Sequence, residues 1–479
     1  MKHFSVTLAG RTGLAAAAAL LLNACAPGQD IPTPTTGIDL SHYLAVGDSY
    51  TAGLSAGGLT RTSQEYSFPN LLAQQFALAS GGGSFGQPLL EAGTGTGYLN
   101  LVDFTDTGVP RARRVAGSAV RRFVADRNAC GGPDTVRLYT RSTTAGTLPQ
   151  NLGVPGLKLS QIEVAGLGNE VNATPGGAFN PYFERLLPAS DNRTYLAAVT
   201  TAATSATFFT FFQGLDEVMP YIRSGGTCGT LPFNLSTLMT NNAKKMLDVL
   251  TANGHKGIIF RLPDITSLPL LRQGKGNLVQ ARLQAYYHDK ALIYIEDPFL
   301  PGNAQPISDG DYILATALPR VGQLTPVQVG ANTLMLPYGR DERNPIRNAD
   351  VLDKASELNT LSGFITEYNS GKTSPSGAVI TPGLEGLAKA YKLPIIDPAQ
   401  GLNTLDTGAL FTKVSNSVSL SGVVYSAEPV RGNFFSLDYF TLTPRGNALL
   451  ANTCITAINT AYRANIPAID VNKLPATAQ

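Results

Sequence analysis

The chain carries little net charge and few metal-ligating side chains, and these shortages exclude several classes of function. Its 479 residues hold 36 lysines and arginines against 34 aspartates and glutamates, so the formal net charge is only +2. No basic run is interleaved with aromatic residues, which argues against nucleic acid as a partner. An HExxH pair, a phosphate-cradling Gly-Lys loop and a CxxC pair are all missing, so we expect neither a metal nor a cofactor.

Long apolar runs are also scarce, and the one at the N-terminus is typical of an export signal. Residues 1–25 combine a basic start with an apolar stretch too short to span a bilayer. The stretch ends in Leu-Asn-Ala-Cys, which resembles a bacterial lipobox with Cys25 as the lipidated residue; the alternative is an ordinary signal peptide with a chance cysteine. Residues 26–39 are interpreted as a tether. We expect a lipid-anchored protein of the bacterial cell envelope, with the outer membrane favoured because Ala26 replaces the aspartate of inner-membrane lipoproteins.

Three cysteines remain after such processing. Cys130 and Cys228 lie in glycine-rich, loop-like sequence, so a disulfide between them is open in an exported protein. Cys454 lies in an apolar pattern and is predicted to be a core residue.

The rest of the chain, 43% hydrophobic and 15% charged overall, has enough apolar sequence for a large core. Apolar runs alternate with helical patterns, which predicts an α/β fold with a mostly parallel sheet. Two long stretches rich in turn residues, at about 79–149 and 297–345, are interpreted as β-rich insertions into one domain spanning residues 40–470. The predicted strands are 43–46, 207–212, 257–262 and 393–396, and the predicted helices are 66–78, 235–252, 350–369 and 446–462.

Several segments place glycine and polar residues where a predicted strand gives way to a loop or helix. The first, VGDSYTAG, contains Ser49; by itself it is weak, because a serine in such a turn also caps a helix. Ligands of open α/β sheets bind at the carboxyl ends of the strands, where Ser49 is expected. The other segments are QNLGVPGLKLSQI (150–162), FFQGLDEVMPYI (211–222), GIIFRLPDITSLP (257–269) and the stretch at 434–462.

Together these segments resemble the SGNH, or GDSL, hydrolases, most nearly the lipid-anchored Bacteroidetes type, from about residue 43 to 467. The resemblance implies a three-layer α/β/α (flavodoxin-like) fold and cleavage of esters or acyl groups, with lipase-like substrates included. It assigns Ser49 as the nucleophile, Gly156 as a glycine of the oxyanion hole and Asp438 as the residue that orients the catalytic base.

Two positions depart from the family pattern. Asp216 stands where the family has its oxyanion asparagine, and Thr441 stands where it has its catalytic histidine. Threonine is no base near neutral pH, and loss of the base costs a factor of roughly 10⁴ to 10⁶ in turnover. An ionised Asp216 would face the negative charge it should stabilise, whereas a protonated one, with a pKa raised by burial, would still donate. The sequence therefore predicts an impaired or inactive enzyme.

Other side chains are considered as substitutes for the missing base. His42 and His255 precede predicted strands, so they are expected at the far end of the sheet from Ser49. His288 lies near an insertion and remains an open alternative. Asp438 and Asp48 are carboxylates without the near-neutral pKa that favours general-base catalysis.

Three functions stay open at this stage. The first is a pseudoenzyme that binds an acylated glycan, lipid or protein. The second is an active esterase that uses His288 or a protonated Asp216. The third is a structural envelope protein that makes contacts through its insertions. The ligand is expected to be an ester or acylated small molecule, glycan or lipid, and the protein to be a monomer.

Overall fold

The structure is a computed structural model that describes residues 37–79, 81–126, 133–142, 147–174, 177–227, 231–353, 357–396 and 417–478. At 125–126 and 133–134 only the backbone is described. The predicted signal peptide, the lipidation site Cys25, most of the predicted tether and the two loop cysteines Cys130 and Cys228 lie outside the described residues.

Strands occur throughout the described chain, and most are short. In chain order they are β1 (Tyr43–Gly47), β2 (Gly97–Phe104), β3 (Pro110–Ala116), β4 (Arg121–Asp126), β5 (Pro133–Leu138), β6 (Asn151–Gly153), β7 (Phe208–Phe212), β8 (Lys256–Phe260), β9 (Tyr294–Glu296), β10 (Ala304–Pro306), β11 (Asp311–Ile313), β12 (Leu324–Val329), β13 (Asn332–Pro337), β14 (Val351–Asp353), β15 (Lys372–Thr373), β16 (Val379–Thr381), β17 (Ile395–Ile396), β18 (Val418–Leu420) and β19 (Val423–Tyr425).

The α-helices separate these strands and vary from one turn to five. They are α1 (Ser49–Ala52), α2 (Arg61–Glu65), α3 (Phe68–Leu78), α4 (Pro181–Glu184), α5 (Tyr195–Ala203), α6 (Leu215–Arg223), α7 (Leu235–Thr251), α8 (Pro269–Arg272), α9 (Gly276–Tyr287), α10 (Asn359–Ser370), α11 (Gly383–Tyr391) and α12 (Pro444–Tyr462). No helix in the described ranges is long and apolar enough to cross a bilayer.

A five-stranded parallel sheet forms the centre of the molecule, in the order β17-β8-β7-β1-β6. Its middle strands are continuous apolar runs because a parallel sheet is buried on both faces. All five residues of β7, Phe-Phe-Thr-Phe-Phe, are buried. Phe208 and Phe212 contact Phe76 and Phe68 of α3, and successive side chains of a strand point to opposite faces. The predicted α/β class with a parallel sheet is therefore confirmed.

Helices pack in two groups around this sheet. Helix α12 lies against α3, while α7 contacts α5, α10 and α11. Cys454 is fully buried on α12, as predicted for a core residue. The predicted helix at 350–369 is wrong in its first part, because β14 pairs there with β11 and buries Val351 and Leu352. The helix begins only at Asn359.

The two stretches interpreted as insertions contain short antiparallel pairs. Strands β2 and β3 form one hairpin and β4 and β5 another, while β12 pairs with β13. Each of these pairs is a separate two-stranded sheet, so the hairpins β2–β3 and β4–β5 are not part of the parallel sheet.

Candidate active site

The central sheet brings three sequence segments to one edge. Strands β7, β1 and β6 are neighbours, and all three run parallel. Ser49 follows β1, Asp216 follows β7 in the first turn of α6, and Gly156 follows β6. Because the carboxyl ends of parallel strands meet at the same edge, these residues lie close together, as the sequence predicted.

Two glycines make this close approach possible. A Cβ added at Gly47 would lie 2.1 Å from the carbonyl oxygen of Phe212, so only glycine lets β1 and β7 end side by side. Gly156 has φ +74°, in the left-handed region that glycine enters freely. The segment that follows Gly156 was predicted to open a helix, but it forms only a single 3₁₀ turn, Leu159–Gln161.

One carboxylate oxygen occupies the centre of the site. Asp216 Oδ2 accepts hydrogen bonds from the backbone N–H of Ser49 at 3.1 Å and from the backbone N–H of Gly156 at 2.8 Å. We call these two N–H groups the amide pair. The Ser49 hydroxyl donates to the same oxygen at 2.5 Å. The donors that the family resemblance assigns to a substrate oxyanion are thus already bound to a side chain of the protein.

Burial leaves this arrangement no room for a substrate carbonyl. The exposed fraction is 3% for Ser49 and 5% for Asp216. A carbonyl oxygen needs the position between the donors of an oxyanion hole, and here Asp216 Oδ2 fills it. A substrate therefore reaches the amide pair only after the Asp216 side chain has moved away.

A second buried carboxyl lies beside Asp216. Asp48 Oδ2 accepts from the backbone N–H of Gly214 at 2.9 Å and from that of Asp216 at 3.4 Å, so it joins the turn after β1 to the turn after β7. Burial and the neighbouring Asp216 raise the pKa of Asp48 well above its ordinary value. Burial likewise raises the pKa of Asp216, although hydrogen bonds from Ser49 and Gly156 and the charge of Arg223 act in the opposite direction. The pair therefore keeps a proton to higher pH than exposed aspartates do.

Asp438 and Thr441 lie together in a separate hydrogen-bond cluster. Asp438 accepts from the hydroxyl and the N–H of Thr441, at 2.6 and 2.7 Å, and from the N–H of Phe440 at 3.0 Å. The Ser436 hydroxyl and the Gly57 N–H complete the set at 2.9 and 2.8 Å. Thr441 is fully buried, and its hydroxyl also contacts that of Ser436 at 2.9 Å. Asp438 is therefore saturated with donors and holds the loop after β19 against the loop at 55–58.

The histidines do not take the place of the missing base. Among the described residues, the hydroxyl of Ser49 has Asp216 as its hydrogen-bond partner and no imidazole. His42 and His255 directly precede β1 and β8, at the amino ends of the strands, as predicted. His288 is exposed and ends helix α9 in a left-handed conformation.

Other polar residues support the site without being evident in the sequence. Glu217 accepts from the Ser160 hydroxyl at 2.7 Å and from its N–H at 3.1 Å, and so fixes the turn that follows Gly156. Ser436 receives the N–H of Ala56 at 2.9 Å. These partners are far apart along the chain, so sequence spacing carries no signal of them.

The described residues contain no group of three or more histidine, cysteine, aspartate and glutamate side chains able to hold a metal ion. The candidate site itself consists of Ser49, two buried carboxyls and backbone amides. No protein-family model, curated protein or solved structure matches this chain.

Proposed function

We propose that this protein is an SGNH/GDSL-type protein of the bacterial cell envelope whose cleft binds an ester or acylated ligand, with ester hydrolysis held off by Asp216. The observation that carries the proposal is the position of Asp216 Oδ2, bound to the amide pair and to the Ser49 hydroxyl at once. When Asp216 is ionised, its oxygen at this position resembles the oxyanion of an acyl-transfer intermediate. The protein thereby occupies its own site with a mimic of that intermediate.

Two elements of serine catalysis are lacking in this arrangement. Thr441 supplies no imidazole, and its hydroxyl is already bound to Asp438 and Ser436. The amide pair is taken, and the loss of one oxyanion donor alone costs about 3–4 kcal/mol of transition-state stabilisation. Binding of an acylated ligand does not require either element, so a binding role is the function that this site supports best.

Labelling with a fluorophosphonate probe tests the proposal. The probe forms a covalent bond to an activated serine, so its rate reports on Ser49. We expect slow labelling of the parent and labelling about tenfold or more faster in Asp216→Asn, which frees the amide pair of a carboxylate. Ser49→Ala is the control and should remain unlabelled. Rapid labelling of the parent, abolished by Ser49→Ala, would overturn the proposal.

The 2.5 Å contact between Ser49 Oγ and Asp216 Oδ2 also favours a second function, an esterase in which Asp216 is the general base. In that reaction Asp216 takes the hydroxyl proton as Ser49 Oγ bonds to the carbonyl carbon, and it returns this proton to the alcohol oxygen as the ester bond breaks. A water molecule then hydrolyses the acyl ester on Ser49, which releases the acid and restores the hydroxyl. Only ionised Asp216 accepts the proton, so turnover on p-nitrophenyl acetate would rise with pH through the raised pKa of Asp216. Such turnover, abolished by both Ser49→Ala and Asp216→Asn, would favour the esterase over the binding protein.

The proposed location rests on the sequence. Cys25 is proposed as the lipid-bearing N-terminal residue, with the outer membrane as the favoured membrane. Metabolic labelling with a palmitate analogue should mark the parent and leave Cys25→Ser unmarked. Equal labelling of both proteins would contradict the lipid anchor and leave the proposal for the cleft untouched.

A further inference from the structure

A cavity of about 580 Å³ lies beside the candidate site, between the hairpins β2–β3 and β4–β5 and residues 179–182. We call it the arginine cavity because three arginines line it. Its size falls within the range of roughly 300–1,000 Å³ that is usual for small-molecule sites. The lining residues are Thr96, Arg114, Ala116, Gly117, Arg122, Thr135, Val136, Arg137, Tyr139, Phe179, Pro181 and Tyr182.

Three arginines concentrate positive charge at the cavity. None of its lining residues is acidic, and within the described ranges Arg114, Arg122 and Arg137 bond to backbone oxygens only. Arg122 and Arg137 stand directly opposite each other in the β4–β5 register. Like charges in that position repel and destabilise a hairpin, so their pairing favours a ligand over a structural role.

Two tyrosines give the cavity a flat wall. The rings of Tyr139 and Tyr182 are stacked, with centroids 6.1 Å apart and planes 21° apart. Burial raises the pKa of Tyr139 to about 12, while the charges of Arg137, Arg114 and Arg122 act to lower it. The three arginines and the two tyrosines line the same cavity, which therefore places aromatic rings and cations around one space.

Direct contacts connect the cavity to the candidate site. Arg114 Nη1 donates to the carbonyl oxygen of Gly57 at 2.9 Å, and the N–H of Gly57 donates to Asp438. On the other side, Asn180 Nδ2 donates to the carbonyl oxygen of Pro155, next to Gly156. Tyr139 belongs to the same apolar cluster as Ala52 of α1, with Tyr182 packed against it. A ligand in the cavity thus lies beside the loops that carry Ser49 and the amide pair.

We propose that the arginine cavity binds a tetrahedral oxyanion, a phosphate or sulfate group, carried by a ligand of sugar size. Guanidinium groups bind such oxygens through paired, charge-assisted hydrogen bonds, and three of them suit the three terminal oxygens of a phosphate or sulfate ester better than the two of a carboxylate. The tyrosine wall accommodates the ring that bears the anion. This inference rests on the proposed function in one respect. It names the charged group carried by the ligand that we propose for the cleft beside Ser49.

Isothermal titration calorimetry on the purified protein tests the inference. The probes are glucose 6-phosphate, glucose 6-sulfate, glucuronate and glucose. We expect the phosphate or the sulfate ester to bind at least about tenfold more tightly than glucuronate, and glucose not to bind. The tighter of the two esters identifies the oxyanion, and equal affinity supports recognition of their shared tetrahedral shape. Failure of both esters to bind, or equal binding of glucuronate, would overturn the inference.

A pair of matched variants assigns the binding to the cavity. Arg122→Gln/Arg137→Gln should weaken binding of the preferred ester by about tenfold or more. Arg111→Gln/Arg113→Gln removes the same charge from the neighbouring β3 but spares the lining, so its affinity should stay within about twofold of the parent. Equal losses in both variants would refute the site.

Thermal melting shows whether the first variant folds, and the single variant Arg122→Gln gives a milder second measurement. Binding measured by calorimetry requires no hydrolysis by Ser49, and fluorophosphonate labelling of Asp216→Asn requires no anion in the arginine cavity. Failure of the anion site and failure of the proposed function are therefore observed separately.

Discussion

Two aspartates border the candidate site, and their surroundings differ. Five donors from the loop after β19 and from residue 57 bind Asp438. Asp216 lies next to Asp48, with the amide pair bound to one of its oxygens. The comparison indicates that Asp438 connects loops, whereas Asp216 contacts Ser49, the nucleophile of the proposed site.

The largest expected effect comes from introducing the two residues that the SGNH/GDSL resemblance places at positions 216 and 441. Asp216→Asn with Thr441→His supplies an amide donor and an imidazole, so turnover on p-nitrophenyl acetate should rise by roughly 10² to 10⁴ over the parent. The same double variant with Ser49→Ala is the control for background hydrolysis. Thr441 is fully buried, so a urea titration must first show that the larger side chain is accommodated. A folded double variant no faster than its control would contradict the assignment of these positions.

Removal of Asp438 should destabilise the fold strongly. Asp438→Ala leaves five donors without their acceptor, so we expect a loss of about 3–5 kcal/mol in the free energy of unfolding, measured with urea. Asp438→Asn keeps one acceptor oxygen and should lose less. Asp216→Ala should lose less as well, because it also relieves the repulsion with Asp48. A larger loss for Asp216→Ala than for Asp438→Ala would reverse the comparison.

The pH dependence of stability should distinguish the two aspartates further. Because the pKa values of Asp48 and Asp216 are raised, the folded state binds more protons than the unfolded state between the ordinary aspartate pKa and the raised one. Stability from this pair is therefore complete below the ordinary pKa and is lost as pH rises through the raised values. Asp216→Asn should remove much of this loss, on the order of 1 kcal/mol per pH unit. If the free energy of unfolding changes with pH in the same way in the parent and in Asp216→Asn between about pH 4 and pH 8, the link between the raised pKa values and stability is disproved.

The smallest effect is expected at His288. His288→Gly removes the imidazole and leaves a residue suited to the left-handed end of α9. Fluorophosphonate labelling of Ser49 in Asp216→Asn should be unchanged by this substitution, and stability should stay within about 0.5 kcal/mol. A clear fall in labelling would restore His288 as a candidate base and weaken the contrast between the two aspartates.

Much of the fold was predictable because buried parallel strands are continuous apolar runs. The carboxyl-end rule predicted the place of Ser49, and the family resemblance grouped Ser49, Gly156 and Asp216 in one site. The sequence predicted that Asp216 would oppose an oxyanion, yet it carried no information on the rotamer that puts Oδ2 onto the amide pair. The error at 350–369 arose because Val351 and Leu352 fit a helical pattern while a distant strand paired with them.

Contacts between distant segments were beyond sequence reasoning. The Gly57 N–H and Asp438 are 381 positions apart, so nothing local indicates that Asp438 anchors that loop. In the sequence, the arginines of the hairpin β4–β5 contribute only to the amino-acid composition of this stretch, and nothing indicates that they lie together. Their convergence depends on the β4–β5 register, which places Arg122 opposite Arg137, and on the packing of residues 179–182 beside them.

The bridge made by Asp48 has a consequence for how the cleft opens. Its carboxylate fastens the main chain of Gly214 and Asp216 to the start of α1, so the backbone around Asp216 is anchored. Vacating the amide pair therefore falls to the Asp216 side chain rather than to the anchored backbone. A ligand that competes for the two N–H groups must replace all three hydrogen bonds that Asp216 Oδ2 accepts, in a buried site.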